Sequence, residues 1–79
     1  MNHSELMWLG KVIQRQRESI PMTATELSRR SGVDRSTIMR IETSATTPTL
    51  PVLCELAKAL GTAADKLLRR ASRCAPRVD

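Results

Sequence analysis

The sequence is poor in aromatic residues: its 79 residues include no Phe, no Tyr and a single Trp, Trp8. The core must therefore be built from Leu, Ile, Val, Met and Ala, a mixture that suits closely packed helices better than a sandwich of aromatic-rich strands. A chain of this length buries only a little over half of the surface that it exposes when unfolded. We therefore expect one small all-α domain.

Histidine and cysteine are also scarce, with one His, His3, and two cysteines, Cys54 and Cys74. These three residues do not have the spacing of a zinc site, and two distant cysteines do not form a disulfide framework. The sequence therefore predicts no metal, no cofactor and no disulfide, which fits a reducing cytoplasm. We expect Cys54 to be half-buried and Cys74 to be a free thiol.

Long apolar runs are missing as well, since none approaches the roughly 18 residues of a membrane-spanning helix. The first residues, MNHSELMW, lack the basic start and apolar block of a signal peptide. Catalytic patterns are absent too: Gly10, Gly32 and Gly61 are scattered, no nucleophile elbow occurs, and the acidic residues never take metal-ligand spacing. We expect a cytoplasmic protein that is not an enzyme and has no membrane partner.

Positive charge is the feature that the sequence has in excess. Lys and Arg number 13 against 8 Asp and Glu, a formal net charge of +5. In so short a chain this excess favours a polyanionic partner, nucleic acid before membrane, although charge kept for solubility alone is the alternative. Arg29 and Arg30 of the second predicted helix are interpreted as solvated surface. The tail residues are interpreted in the same way, with contact between the tail and the DNA backbone as the alternative: Arg69, Arg70, Arg73 and Arg77.

Helix start and stop signals recur five times along the chain. In the first predicted helix, SELMWLGKVIQRQRES, one apolar stripe is formed by Leu6, Leu9, Ile13 and Ile20, and Pro21 ends the helix. The second, TATELSRR, begins with the capping-box pattern of a Thr followed three residues later by a Glu. These two residues are Thr23 and Glu26.

A very short connection separates the second and third predicted helices. Gly32 allows the positive-φ turn that ends one helix, and Asp34 can cap the next, DRSTIMRIE. A loop, TSATTPT, then leads to LPVLCELAKAL, with Thr49 as its cap and Pro51 in its first turn. The fifth helix, TAADKLL, is predicted to start with Thr62 as its cap.

The tail RRASRCAPRVD is basic and shows no apolar stripe. We expect it to fray, and we place one helical domain at residues 1–70 and a basic flexible tail at residues 71–79. Trp8 is expected to complete the core or cover the helix ends. The alternative is that it joins Leu67 and Leu68 in a subunit interface.

The third predicted helix has two different faces at about 100° per residue. Ile38 and Ile41 mark the buried direction, and the opposite side is polar and basic. Arg can fork onto guanine O6 and N7, and a Met can lie against a thymine methyl group, so this side suits the DNA major groove. A merely solvated helix face is the alternative. Ser36 and Arg40 project almost opposite the isoleucines, Met39 lies beside them, and Arg35 lies in the first turn at the exposed N-terminal end.

The ordered set T.TELSRRSGV.RSTI.RIE....PTL..L.ELAKALG resembles the Cro and lambda-type repressors, also called the XRE family. The resemblance is clearest over residues 23–42 and extends over about residues 9–68. It implies a compact five-helix bundle with a helix-turn-helix unit at residues 23–43. It also implies that the outward residues of the third helix read base edges and that Thr37 touches a backbone phosphate.

The resemblance further implies that Arg17 pairs with Glu42 and stays near phosphate. The Gln that commonly starts the second helix in this family is Ala24 here, so its phosphate contact passes to Thr23, Thr25 or a backbone amide. The loop that begins at Thr43 offers only hydroxyls and amides to phosphate. Less counterion release is therefore expected from this loop.

Together these features predict a transcription regulator, a repressor or autoregulator, that binds a palindromic double-stranded DNA operator in a sequence-specific way. A domain of this size makes few base contacts, so we expect a homodimer that reads half-sites about 34 Å apart. One alternative is an antitoxin that binds a toxin protein as well as its operator. A controller protein of a restriction system is a variant within the DNA-binding class.

Overall fold

The computed structural model describes residues 3–75, and the side chains of residues 5–75. Within this range every regular secondary-structure element is a helix. None of these helices is long and apolar enough to cross a membrane. The all-α, five-helix prediction is confirmed, with the helices α1 (His3–Ser19), α2 (Ala24–Ser31), α3 (Arg35–Glu42), α4 (Leu50–Ala59) and α5 (Ala64–Cys74).

The five helices share one aliphatic core. α1 packs against α3 and α5, α2 packs against α3 and α4, and α4 packs against α5. α2 and α3 have only eight residues each, too few for a stable isolated helix, so burial of their apolar sides holds them in place. The core residues are Leu9, Val12, Ile13, Met22, Leu27, Ile38, Ile41, Leu53, Leu56, Ala57, Leu60, Leu67 and Ala71.

The connection between α2 and α3 follows the predicted local chemistry. Gly32 has φ +75° and donates its N–H to the Ser28 carbonyl at 2.9 Å, which ends α2. Asp34 caps α3 by accepting a hydrogen bond from the Ser36 N–H at 3.1 Å. The two helices are therefore joined by a connection of three residues, Gly32 to Asp34.

The start of α2 shows half of the predicted capping box. Thr23 Oγ1 accepts a hydrogen bond from the Glu26 N–H at 3.1 Å. The Glu26 carboxylate lies 3.6 Å from Arg30 Nη2, one turn along the helix. Thr49 occupies the predicted cap position of α4 but makes no side-chain cap hydrogen bond.

One predicted core position and one predicted helix boundary are corrected. The sequence placed Ile20 on the apolar stripe of the first helix, but α1 ends at Ser19, and Ile20 is 41% exposed because it lies in the turn that follows the helix. Val12 takes part in the core instead. The cap position of α5 is Ala63 and not Thr62.

The predicted tail also differs from the structure at its start. α5 continues through Cys74, and Ala71 is fully buried, so residues 71–74 are helical because one side of this segment completes the core. The sequence showed no stripe here because alanine is a small core residue. Residues 76–79, with Arg77, lie outside the described residues. Cys54 is half-buried as predicted, and Cys74 is exposed.

Candidate nucleic-acid interface

α3 presents one polar and basic side to solvent. Ile38 and Ile41 are 0% and 1% exposed, which sets the rotation of the helix about its axis. We call the four residues predicted to read bases the α3 outward face: Ser36 and Arg40 lie opposite the isoleucines, with Met39 beside them and Arg35 in the first turn. All four are exposed: Arg35, Ser36, Met39 and Arg40.

The end of α3 is attached to α1 by an ion pair between Arg17 and Glu42. Arg17 Nε donates to Glu42 Oε2 at 2.8 Å, and Nη2 donates to Oε1 at 2.9 Å. The third nitrogen, Nη1, donates to the Met22 carbonyl at 2.9 Å. The side chains of Arg17 and Glu42 are only 13% and 2% exposed. This bidentate geometry is the strong form of an arginine–carboxylate contact.

The same pair sets the charge state of Arg17. The hydrogen bond that Arg17 donates to the Glu42 carboxylate raises the pKa of Arg17 above its usual value, although burial acts in the opposite direction. A raised folded-state pKa gives stability that is complete below the unfolded-state pKa and is lost only as the pH rises through the folded-state value. Arg17 therefore stays charged at neutral pH. Because three of its nitrogens already donate within the protein, the geometry supports bracing of α3 more than a contact with phosphate.

The predicted phosphate contacts at the start of α2 are accessible. Thr23 and Thr25 are both exposed. The oxygen of Thr23 accepts from the Glu26 N–H, so its hydroxyl proton remains available to donate to an anion. The positive end of the α2 dipole lies at the same place.

The other two predicted phosphate contacts are placed less favourably. Thr37 is half-buried and lines an open groove of about 350 Å³ between α3 and the start of α4, beside Val52 and Glu55. Thr43 is exposed, but its hydroxyl lies 3.0 Å from the Met39 carbonyl and can donate to it. Thr43 would have to give up this hydrogen bond to donate to a phosphate.

Two contacts that position the site were not predicted. Gly10 of α1 lies against the main chain of Ile41 in α3. Ser44 has φ +63° and donates its hydroxyl to the Met7 carbonyl at 2.8 Å, which holds the loop after α3 against α1. An isolated glycine within a helical pattern is a recognisable signal of close packing. No comparable local signal marks Ser44.

Trp8 lies on the outer part of α1 and packs against the core while remaining partly exposed. Lys11 Nζ lies 4.8 Å from its ring centroid, and Arg15 Cζ lies 5.7 Å from it. These are cation–π distances. The alternative that paired Trp8 with Leu67 in an interface is excluded for Leu67, which is fully buried.

Comparisons with known proteins agree with this geometry. A family model described as a helix-turn-helix domain matches residues 8–71. The chain is similar to the restriction-modification controller protein C.AhdI from Aeromonas hydrophila, with 25% identity, a TM-score of 0.77, and coverage of 82% of this chain and 98% of that chain. A search of curated proteins found no match.

The fold is also similar to that of the clp gene regulator ClgR from C. glutamicum. The identity is 22% and the TM-score 0.82, with coverage of 92% of this chain and 96% of that chain. At this identity the similarity concerns the fold alone. Both solved structures therefore support the arrangement of helices found here.

Proposed function

The chain belongs to the helix-turn-helix domain family of DNA-binding transcription regulators, and on this premise we propose that it is a sequence-specific repressor or autoregulator that binds a palindromic operator as a homodimer. The observation that carries this proposal is the α3 outward face. A helix that buries Ile38 and Ile41 on one side and exposes Arg35 and Arg40 on the other suits a major groove.

In this proposal each exposed side chain of α3 has a separate role. Arg35 and Arg40 fork onto guanine edges, Ser36 makes a hydrogen bond to a base, and Met39, which is 44% exposed, packs against a thymine methyl group. The Arg17–Glu42 pair keeps the helix at a constant angle to α1. Thr23, Thr25, Thr37 and Thr43 serve as the proposed contacts to backbone phosphate.

The proposed homodimer follows from the size of the reading surface. One eight-residue helix spans about 12 Å at 1.5 Å per residue, which covers only a few base pairs. Two copies related by a two-fold axis would read half-sites about 34 Å apart, one turn of B-DNA. The proposal needs no cofactor and no catalytic step, and it implies that the protein acts in the cytoplasm.

One regulatory variant is favoured by a specific similarity. C.AhdI is described as a restriction-modification controller protein, and 98% of its chain is covered at 25% identity. Control of a restriction-modification system is therefore the second candidate for this chain. The antitoxin alternative keeps the same fold and requires a protein partner in addition to DNA.

Selection of bound duplexes from a random DNA pool tests the proposed function. We expect the purified protein to enrich an inverted repeat whose half-sites are about one helical turn apart. The Arg35→Ala/Arg40→Ala protein is the control, and it should enrich no defined sequence. A pool without sequence enrichment would refute sequence-specific regulation, and co-purification of a toxin protein would then support the antitoxin alternative.

A further inference from the structure

We propose that a row of four cations on α5 binds the phosphate backbone of duplex DNA outside the groove that α3 reads. This proposal rests on the proposed function, because that function identifies the bound polyanion as DNA. These residues, which we call the α5 cation row, are all exposed and line one open depression of about 230 Å³. They are Lys66, Arg69, Arg70 and Arg73.

Charge is concentrated on α5 more than on the helix-turn-helix unit. The 11 residues of α5 carry four cations and one acid, Asp65, and so hold +3 of the net charge of +5. The cations are three or four positions apart, so like charges lie side by side on one helix side, which lowers the stability of the helix. Asp65 offsets little of this, because its Oδ2 lies 3.8 Å from Arg69 Nη2 at an exposed position.

Core packing on the other side of α5 keeps the α5 cation row exposed to solvent. Leu67 and Ala71 are fully buried on the opposite side of α5, so the helix cannot rotate the row inward. Gln16 of α1 helps to fix the orientation of the Arg70 side chain, because Arg70 Nη1 donates a hydrogen bond to Gln16 Oε1. Solubility alone would be served by mixed charges. A row of one sign, held in place at a cost to the helix, indicates a polyanionic ligand.

The chemistry of the row favours DNA over an acidic protein. Protein interfaces are anchored by large apolar or aromatic side chains. The large apolar side chains exposed among the described residues are Met7, Ile20, Met39 and Leu50, and none belongs to α5. From its first to its last cation the row spans about 10.5 Å at 1.5 Å per residue. Over this length of duplex axis one DNA strand carries about three phosphates, at an axial rise of about 3.4 Å each.

The row lies apart from the reading surface. α1 contacts α3 through Gly10 and Arg17, and it contacts α5 through Gln16. Neighbouring residues of a helix point about 100° apart, so α3 and α5 approach different sides of α1. The α5 cation row therefore adds affinity without adding sequence information.

The test measures how DNA affinity depends on salt, using a random duplex and the selected duplex. Each phosphate contact contributes about 0.9 to the slope of log K against log salt. We expect Arg73→Gln to reduce the slope by about 0.9 and Arg69→Gln/Arg73→Gln by about 1.8, with the same fold-loss on both duplexes. Lys58→Gln is the matched control, because Lys58 is also an exposed cation in the last turn of its helix, and it should leave the slope unchanged.

Four results would overturn the proposal. The first two are an unchanged salt slope in Arg69→Gln/Arg73→Gln and an equal reduction of the slope in Lys58→Gln. The other two are a loss of affinity confined to the selected duplex and binding of poly-glutamate as tight as that of the random duplex. The last result would assign the row to an acidic protein. Thermal unfolding checks folding, and Arg69→Lys/Arg73→Lys should retain the slope. The slope changes can be measured with the random duplex alone. A protein that selects no operator but shows these slope changes would therefore refute the proposed function and still support DNA binding by the α5 cation row.

Discussion

Gly10 of α1 lies against the main chain of Ile41 in α3, so that a Cβ at residue 10 would overlap the Ile41 carbonyl oxygen and lie 3.3 Å from the Glu42 carbonyl oxygen. The two helices approach this closely only because residue 10 has no side chain. The same contact region holds the Arg17–Glu42 pair. The position of α3 relative to α1 therefore depends on a glycine as well as on an ion pair.

Gly10→Ala tests this close approach. In an ordinary helix interior the change would stabilise the fold by about 0.5–1 kcal/mol. Here the backbone of α3 must move, so we expect the free energy of unfolding to fall by about 1–3 kcal/mol. Denaturant titration of the Gly10→Ala and wild-type proteins measures the change. Stabilisation by Gly10→Ala would show that the helices do not approach this closely.

Glu42→Gln tests the brace on α3. It leaves Arg17, which is 13% exposed, without its charged partner, and we expect a loss of about 3 kcal/mol in the free energy of unfolding. Asp65→Asn, which removes an exposed pair with Arg69, is the control and should change stability by less than about 1 kcal/mol. A double-mutant cycle with Arg17→Gln isolates the pair. No coupling energy between the two positions would contradict the brace.

Gly32→Ala tests the turn between α2 and α3. No atom lies within 4 Å of an added Cβ, so its cost comes only from φ +75°. We expect about 1–2 kcal/mol of destabilisation, with a smaller loss for Gly32→Asn, since Asn tolerates this conformation. Gly61→Ala, at φ +73° with equally open surroundings, should give a similar loss. Equal thermal stability of the Ala and wild-type proteins would be inconsistent with the observed turn.

Thr23→Ala tests the cap of α2. Loss of the hydrogen bond to the Glu26 N–H should cost about 1 kcal/mol. Thr49→Ala is a matched control, because Thr49 occupies the cap position of α4 without a side-chain hydrogen bond and should cost less. Chemical denaturation of the two variants gives the comparison. Equal losses would show that the Thr23 side chain contributes nothing specific.

Arg40→Ala tests base reading by α3. We expect a loss of about 1–3 kcal/mol in binding of the selected duplex and relaxed preference at one base position. Fluorescence anisotropy with the selected duplex and its single-base variants measures both effects. Arg29→Ala on α2 removes another exposed arginine and should leave the base preference unchanged. An equal loss on selected and random DNA would assign Arg40 to phosphate instead of to a base.

The sequence predicted features that depend on neighbouring residues. Thr23, Gly32 and Asp34 act at the expected helix ends because capping and positive φ are determined by a few adjacent groups. The buried side of α3 was also predicted, since Ile38 and Ile41 share one side of any helix. The Arg17–Glu42 contact followed from resemblance to a family, because nothing in the spacing of the two residues indicates it.

The errors arose where local signals were weak or ambiguous. Ile20 fits the helical period, but α1 ends one residue before it, so Ile20 lies in a turn and does not pack on the core. Thr62 is a good cap residue, yet α5 begins two positions later at Ala64. Ala71 carries too little apolar surface to be recognised as a core residue in a basic segment. Its burial depends on the surface that α1 presents to α5.

By itself the sequence determined the helical class, the turn between α2 and α3, and the separation of an apolar from a cationic side on α3, because each depends on residue type and periodicity over one or two turns. Only the tertiary structure decided that Gly10 admits the main chain of α3, that Ser44 binds the Met7 carbonyl 37 positions away, and that α5 continues to Cys74. These features join residues distant along the chain. They arise when helices pack and exclude water, which no local pattern specifies.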